Sequence, residues 1–132
     1  MIRGLSAVVL TAASLQVQPV VAGTPVKPIA TRPGTCVFTT VRRVGQRLEA
    51  NRRPVAGSGS WVILANGLVS VSYDQVDAVD QSRPGDRVMT CLARLPRHCP
   101  PGDNRGKWYV TTNMRTNLAW MLPDSPHSCG GA

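Results

Sequence analysis

The sequence is poor in the groups that most enzymes use for acid–base and metal chemistry. It has only 7 acidic residues and 2 histidines among 132 residues. It contains no glycine-rich phosphate-binding loop and no Asn-x-Ser/Thr glycosylation acceptor. No apolar run reaches the ~20 residues that a membrane-spanning helix needs. These absences argue against a P-loop nucleotide site. They also predict no transmembrane span in the chain that remains after removal of the signal peptide described next.

The beginning of the sequence has the pattern of a signal peptide. Arg3 precedes an apolar run over residues 5–15, and the segment ends in Val-Val-Ala. Small or medium-sized residues at the last and third-last positions are typical of a signal peptidase site. We therefore predict a signal peptide over residues 1–22 and a secreted or periplasmic mature chain that starts at Gly23. The alternative is an uncleaved anchor or a strand of the core.

Positive charge dominates the composition. The chain carries 15 basic residues, of which 13 are arginine, and its net charge is +8. Removal of the predicted signal peptide takes away one arginine and leaves +7. This basic protein favours anionic partners such as phospholipid head groups or phosphate-bearing envelope polymers. A secreted protein seldom meets RNA, so we expect no nucleic acid partner. The alternative is that the charge serves solubility, because it is spread along the chain.

Four cysteines in a small secreted chain predict two disulfides, for which three connectivities exist. We favour Cys99–Cys129, because both residues lie just outside a predicted terminal hairpin. The remaining pair, Cys36–Cys91, then joins two predicted strands. Each bridge that closes a loop of this length stabilises the folded protein by about 3–4 kcal/mol.

Strand patterns predict an all-β fold, a small disulfide-stabilised barrel or sandwich of about six strands over residues 36–132. A proline-rich stretch over residues 23–35 predicts a flexible N-terminal arm. The pair Asn66-Gly67 favours a two-residue type I′ turn between two strands. Only one helical turn, within residues 75–82, is predicted after the signal peptide. A terminal hairpin over residues 107–122 completes the domain.

The tail contains the one cluster that resembles catalytic chemistry, with Asp124, Ser125, His127 and Cys129 in six residues. Adjacent residues on an extended chain point apart, and a triad needs a base bonded to its nucleophile. A disulfide would also remove Cys129 as a nucleophile and as a zinc ligand. The spacing of the His and Cys residues does not match zinc sites either. We therefore predict no catalytic residue, no metal site and no cofactor, with a small hydrolase using these tail residues as an alternative.

Aromatic and basic residues gather near the terminal hairpin, where an exposed ring could stack on a ligand. The alternative is that Trp108 and Trp120 are cross-strand partners in the hairpin. The predicted binding residues are Arg105, Lys107, Trp108, Tyr109, Arg115 and Trp120.

Two resemblances concern the last third of the chain. The run CPPGDNRGKWYVTTNMRTNLAWMLPDSPHSCGGA resembles the C-terminal signature of a family of small secreted proteobacterial proteins. This resemblance implies a bacterial envelope or extracellular protein and implies no activity. The segments Gly85–Val88 and Gly106–Val110, followed by Trp120, are similar to bacterial SH3-like domains. That similarity implies a small barrel of a kind that often binds cell-wall peptides, and no binding residue is carried over from it.

These observations together predict a non-catalytic binding module for an anionic or glycan component of the bacterial envelope. The second hypothesis is an inhibitor or protein-partner-binding module, because a hairpin tied by a disulfide is preorganised for binding. The oligomeric state and the identity of the ligand do not follow from the sequence.

Overall fold

The structure is a computed structural model that describes residues 28–131. It is an all-β fold, as predicted, with two disulfides and one short helix. The elements are β1 (Cys36–Gln46), β2 (Glu49–Ala50), β3 (Arg53–Pro54), β4 (Ser60–Leu64), β5 (Val69–Val71), α1 (Asp77–Asp80), β6 (Arg87–Arg94), β7 (Trp108–Asn113) and β8 (Ala119–Pro123).

Six strands form one antiparallel sheet in the order β5-β4-β1-β6-β7-β8, and β2 and β3 form a separate hairpin. The long strand β1 pairs with β6 through its first half and with β4 through its second half. The register of the β1–β4 pair shifts between Val41 and Arg43, at the point where β1 changes partner. A bulge of this kind bends a strand and increases its twist. The sheet therefore curls into a half-barrel whose edge strands β5 and β8 approach each other.

The concave side of the sheet holds the core. Alternate residues of each strand are buried there, which follows from the two-residue period of a β-strand. Short β4 shows the pattern most clearly, because Ser60, Val62 and Leu64 are buried and the residues between them are not. Helix α1 adds the fully buried Val79 to the core. The same alternation places the other half of each strand on the convex, outer side.

Residues 28–35 lie across the half-barrel. Ala30 is buried, and its carbonyl accepts a hydrogen bond from the Tyr109 hydroxyl at 3.2 Å. The Gly34 amide donates to the Leu92 carbonyl at 2.8 Å. This segment is the described part of the predicted N-terminal arm. The rest of that arm and the predicted signal peptide lie outside the described residues.

The structure confirms the favoured disulfide pairing. Cys36 and Cys91 face each other directly in the β1–β6 pair, at a sequence separation of 55. Cys99 and Cys129 join the segment after β6 to the tail after β8. All four thiols are oxidised, so none is free to act as a nucleophile or as a metal ligand.

Two turns differ from the sequence prediction. At Asn66-Gly67 only the glycine has a positive φ, of 90°, and the Gly67 amide donates to the Leu64 carbonyl. The connection is therefore a three-residue loop that ends in a left-handed glycine, rather than a type I′ turn. The composition of residues 51–60, NRRPVAGSGS, predicts a loop, but residues 51–54 form the turn and the second strand of the β2–β3 hairpin. Its two turn residues, Asn51 and Arg52, have φ values of 52° and 62°, as a type I′ turn requires.

Candidate functional site

The outer side of the sheet carries four stacks of arginine on an aromatic ring. Each guanidinium lies within the ~6 Å range of a cation–π contact. The pairs, with the distance from the guanidinium carbon to the ring centroid, are Arg43–Trp61 (5.5 Å), Arg47–Tyr73 (4.4 Å), Arg87–Phe38 (5.8 Å) and Arg94–Trp108 (4.9 Å). We call these eight residues the stacked face.

Strand alternation explains why these rings point outward. Phe38 precedes the buried Thr39, and Trp108 precedes the buried Tyr109. Trp61 lies between two buried residues of β4. A large ring at such a position lies on the outer face of the sheet, where a long arginine of a neighbouring strand can cover it. The stacked face is therefore a direct product of strand register.

Most arginines of the structure have no carboxylate partner. Within residues 28–131 three ion pairs form, Arg105–Asp103, Lys107–Asp124 and Arg115–Asp86. No carboxylate lies within ion-pair distance of the other basic side chains of that range, which are Arg32, Arg42, Arg43, Arg47, Arg52, Arg53, Arg83, Arg87, Arg94 and Arg97. All four arginines of the stacked face belong to this set. Apart from the Arg47 Nε–H, which donates to the Ser58 carbonyl, their N–H groups remain available to an anion.

A shallow apolar groove of about 350 Å³ lies at one end of the stacked face. The Trp61 ring rests on Gly45, where an added Cβ would come within 3.0 Å of it, and its indole N–H donates to the Gln46 carbonyl at 2.6 Å. Arg47 is held by a bond from its Nε to the Ser58 carbonyl at 2.8 Å. The groove is therefore ordered before any ligand binds. Its lining residues are Arg43, Arg47, Trp61, Ile63, Val69 and Val71.

A second recess, of about 520 Å³, lies beside the Cys99–Cys129 disulfide. Arg94 and Trp108, which stack on each other, form one part of its lining, and Arg97 adds another guanidinium. This recess contains Trp108, one of the predicted binding residues. Trp108 is half-buried and lies beside Arg94 and Arg97, rather than beside the predicted Arg105, Lys107 or Arg115.

Two of the predicted binding residues, Arg105 and Lys107, are engaged by carboxylates near the tail. Arg105 donates from Nε and a terminal nitrogen to both oxygens of Asp103, at 2.9 and 2.8 Å. The Asp103 carboxylate holds the pKa of Arg105 above its usual value. Lys107 lies 3.5 Å from Asp124, whose other oxygen accepts from the backbone amides of Gly106 and Lys107. These contacts tie the tail to the start of β7.

Arg115 is the exposed member of a polar cluster under the β7–β8 loop, in which Asp86 and Asn113 are buried. Its Nε and a terminal nitrogen donate to Asp86 at 2.6 and 2.9 Å. Asp86 also accepts from the Asn113 side chain at 2.8 Å and from the Arg83 amide at 2.8 Å. Hydrogen bonds from Arg115, and then from Asn113 and Arg83, hold the pKa of the Asp86 carboxyl well below its usual range against the opposing effect of burial. The cluster fixes the loop and contributes no free cation.

Tyr109 and Trp120 belong to the core. They are 2% and 4% exposed, so an exposed binding surface cannot include either ring in this fold. Burial raises the pKa of the Tyr109 hydroxyl, with a smaller effect from Asp124. Trp120 lies opposite Thr111, while Trp108 lies opposite Pro123. The two tryptophans are therefore not cross-strand partners.

The tail residues that resembled catalytic chemistry have structural contacts instead. Ser125 Oγ accepts a bond from the His127 amide at 3.2 Å, and Asp124 is bound to the start of β7. Cys129 is in its disulfide. Residues 28–131 contain no group of three or more His, Cys, Asp or Glu side chains placed to hold a metal ion.

Sequence reasoning missed most of the stacked face. It singled out Trp108 and passed over Phe38, Trp61 and Tyr73. The run SWVIL of β4 is almost entirely apolar, so its pattern does not tell which alternate set is buried. The one available signal was the presence of an aromatic residue and an arginine on strands that pair.

The part of the chain that the structure describes has no helix long and apolar enough to cross a membrane. No protein-family model, curated protein or solved structure matches the chain. The resemblances to small secreted proteobacterial proteins and to SH3-like domains therefore stay predictions.

Proposed function

We propose that this protein is a secreted or periplasmic, non-catalytic binding module for a phosphate-bearing component of the bacterial envelope. One observation carries the proposal. Four arginines stack on outward-facing aromatic rings, and within residues 28–131 no carboxylate lies at ion-pair distance from any of them.

The chemistry of a stacked guanidinium supports an anionic ligand. Stacking uses the flat face of the group and leaves its N–H edge free to donate two parallel bonds to a phosphate or carboxylate. The ring also restricts the side chain, so less freedom is lost when the anion binds. Ordered, uncompensated cations are the feature that a polyanion recognises.

A neutral glycan is the less favoured ligand. Sugars usually bind by placing an apolar face on an aromatic ring. On the stacked face a guanidinium already covers one side of each of the four rings. The Trp61 ring also packs against Gly45. An anion reaches the arginine edge without displacing these groups, whereas a sugar ring would compete with them.

The two disulfides support an extracytoplasmic location. Disulfides form and persist in oxidising environments such as the bacterial periplasm and the exterior, and they are rare in the cytosol. The bridge between Cys36 and Cys91 lies in the middle of the sheet. The fold is therefore suited to a compartment where thiols are oxidised and envelope phosphates are accessible.

Immobilised polyphosphate serves as a defined probe for this proposal. We expect the variant Arg47→Gln with Arg94→Gln, which alters the two closest stacks, to bind about thirtyfold more weakly than the unaltered protein, because each of the two lost guanidiniums removes charged hydrogen bonds worth about 1 kcal/mol. The matched control, Arg32→Gln with Arg83→Gln, removes the same charge from arginines that stack on no ring and should lose at most about twofold. Binding is measured at increasing salt, which should weaken it steadily. Equal losses in the two variants, or binding that high salt leaves unchanged, would contradict the proposal.

A second candidate, binding of a protein partner, is favoured by one further observation. Phe38 and Met121 are about half exposed on the outer side of the sheet, at 50% and 46%. Phe38 lies opposite Met89, and Met121 lies opposite Val110. These residues form an apolar area around the Cys36–Cys91 bridge. Recovery of one stoichiometric protein complex that resists high salt would favour this function over polyanion binding.

A further inference from the structure

We propose that the β2–β3 hairpin and the neighbouring apolar groove form a docking site for the surface of an anionic phospholipid membrane. The inference rests on the proposed function and specifies its ligand and its position. It is carried by the geometry of the hairpin, by the continuity of exposed apolar groups with the groove, and by the local charge.

The hairpin is a short, tightly turned projection that presents arginine at its tip. Ala50 pairs with Arg53, and the turn consists of Asn51 and Arg52. Arg52 has a φ of 62°, which a side-chain-bearing residue adopts uncommonly. The turn residues and both strands are exposed. The two guanidiniums at the tip are therefore available to head groups.

Two exposed apolar side chains flank the base of the hairpin. The Val55 amide donates to the Leu48 carbonyl at 2.9 Å, which places the two residues side by side. Leu48 is 45% exposed and Val55 is 37% exposed. Apolar groups at the base of a basic hairpin are arranged as in membrane-surface segments, where arginine binds phosphate and the apolar groups enter the acyl boundary.

The apolar area continues from the hairpin to the groove. Arg47 directly precedes Leu48 and stacks on Tyr73, which is 54% exposed. Tyr73 follows β5, whose Val69 and Val71 line the groove. We call the whole area the hairpin surface, and its members are Arg43, Arg47, Leu48, Arg52, Arg53, Val55, Trp61, Ile63, Val69, Val71 and Tyr73.

The charge of the hairpin surface is complementary to an anionic bilayer. It has four arginines, and no carboxylate in the described part of the chain lies within ion-pair distance of any of them. Two acidic residues, Glu49 and Asp74, are its sequence neighbours. The arginines outnumber these carboxylates two to one, so the area keeps a positive charge that anionic head groups attract.

The apolar members favour a lipid surface over a soluble polyanion. A phosphate polymer in water offers hydrogen-bond acceptors for the arginines but nothing for Leu48, Val55 or the ring of Tyr73. A bilayer interface offers partners to the arginines and to the apolar side chains, because amphipathic rings and arginine side chains reach from the acyl boundary to the head groups. The experiment must therefore separate the apolar contribution from the charge.

Vesicles of phosphatidylglycerol and phosphatidylcholine in equal parts, and vesicles of phosphatidylcholine alone, provide that separation in a sedimentation assay. We expect the protein to sediment with the anionic vesicles only. The variant Leu48→Ser with Val55→Ser keeps every charge and should bind these vesicles about tenfold more weakly, with polyphosphate binding unchanged. The matched control, Leu95→Ser with Met114→Ser, alters two apolar residues of similar exposure elsewhere and should bind as the unaltered protein does.

The outcomes distinguish this inference from the function on which it rests. Polyphosphate binding without vesicle binding overturns the membrane site and leaves the proposed function standing. If the unaltered protein binds neither polyphosphate nor vesicles, the proposed function and the membrane site are both overturned. Vesicle binding that the Leu48 and Val55 substitutions leave unchanged, or that the control reduces equally, shows that the hairpin surface is not the docking site. Because all four substituted residues are exposed, thermal unfolding should be the same for the two variants.

Discussion

A variant with Cys36→Ala and Cys91→Ala is expected to lose about 4 kcal/mol of its free energy of unfolding. The bridge closes a segment of 55 residues, and a long closed loop restricts the unfolded chain more than a short one. Small domains are stable by only ~5–15 kcal/mol. The loss therefore removes a large part of the total and brings the variant close to unfolding at growth temperature.

Guanidinium-induced unfolding of the oxidised protein measures this loss. The matched variant, Cys99→Ala with Cys129→Ala, opens a segment of 30 residues and should lose slightly less, roughly 3.6 kcal/mol by the same loop-entropy argument. The dependence of stability on denaturant should also steepen in both variants, because the unfolded chain becomes less compact. A greater loss from the Cys99–Cys129 pair would show that loop closure is not the main contribution.

An Asp86→Asn variant is expected to lose about 2 kcal/mol of stability at neutral pH, as for the loss of charged hydrogen bonds to a buried carboxylate. Asp86 is 9% exposed, and its carboxylate accepts bonds from Arg115, Asn113 and Arg83. The amide keeps the size of the side chain but leaves the Arg115 guanidinium without its counter-charge. It also presents N–H groups to donors that need an acceptor. Because the Arg115 side chain is 41% exposed, water compensates part of the loss, and the cost is smaller than for a fully buried ion pair.

The same carboxylate predicts how stability depends on pH. The pKa of Asp86 in the folded protein lies below the ~3.9 of an unfolded aspartate. Its contribution is therefore complete above the unfolded pKa and is lost as pH falls through that value toward the folded one. We expect the stability of the unaltered protein to fall from about pH 5 downward. The acid limb, which is the decrease in the free energy of unfolding below about pH 5, should be flatter for the Asp86→Asn variant.

Asp103 provides the control for this pH dependence. Hydrogen bonds from Arg105, and then from the Gly130 amide, also hold the pKa of the Asp103 carboxyl well below its usual range. This pair lies at the surface, where water screens the interaction. The Asp103→Asn variant should therefore lose less stability than Asp86→Asn and keep most of the acid limb. Identical acid limbs in the Asp86→Asn variant and the unaltered protein would contradict the role given to Asp86.

The strands, the two disulfides and the single helical turn follow from local patterns in the sequence. Val, Thr and aromatic residues mark strands, and Pro84-Gly85 marks the turn before β6, where Gly85 has a φ of 92°. The disulfide pairing followed from the terminal hairpin, which closes over a short distance. The strand order did not follow, because β1 is shared between β4 and β6 through contacts that are distant in sequence.

The binding residues were harder to predict than the fold, because alternation does not show which side of a strand is inside. Trp108 and Tyr109 are neighbours with the same composition around them, yet one stacks with Arg94 and the other is buried. The engagement of Arg115 by Asp86 joins residues 29 apart and has no local signal. The ion pair of Arg105 did have a local signal, since Asp103 lies two residues before it.

The proposed function requires that the stacked arginines are the groups that bind the anion. Nuclear magnetic resonance of the arginine Nε–H groups, during titration with polyphosphate, tests it most directly. The Nε–H signals of Arg43, Arg87 and Arg94 are expected to shift first, while those of the ion-paired Arg105 and Arg115, and that of Arg47, whose Nε–H is bound to the Ser58 carbonyl, stay closer to their starting positions. Equal shifts of all exposed arginines, or shifts confined to arginines outside the stacked face, would contradict the account.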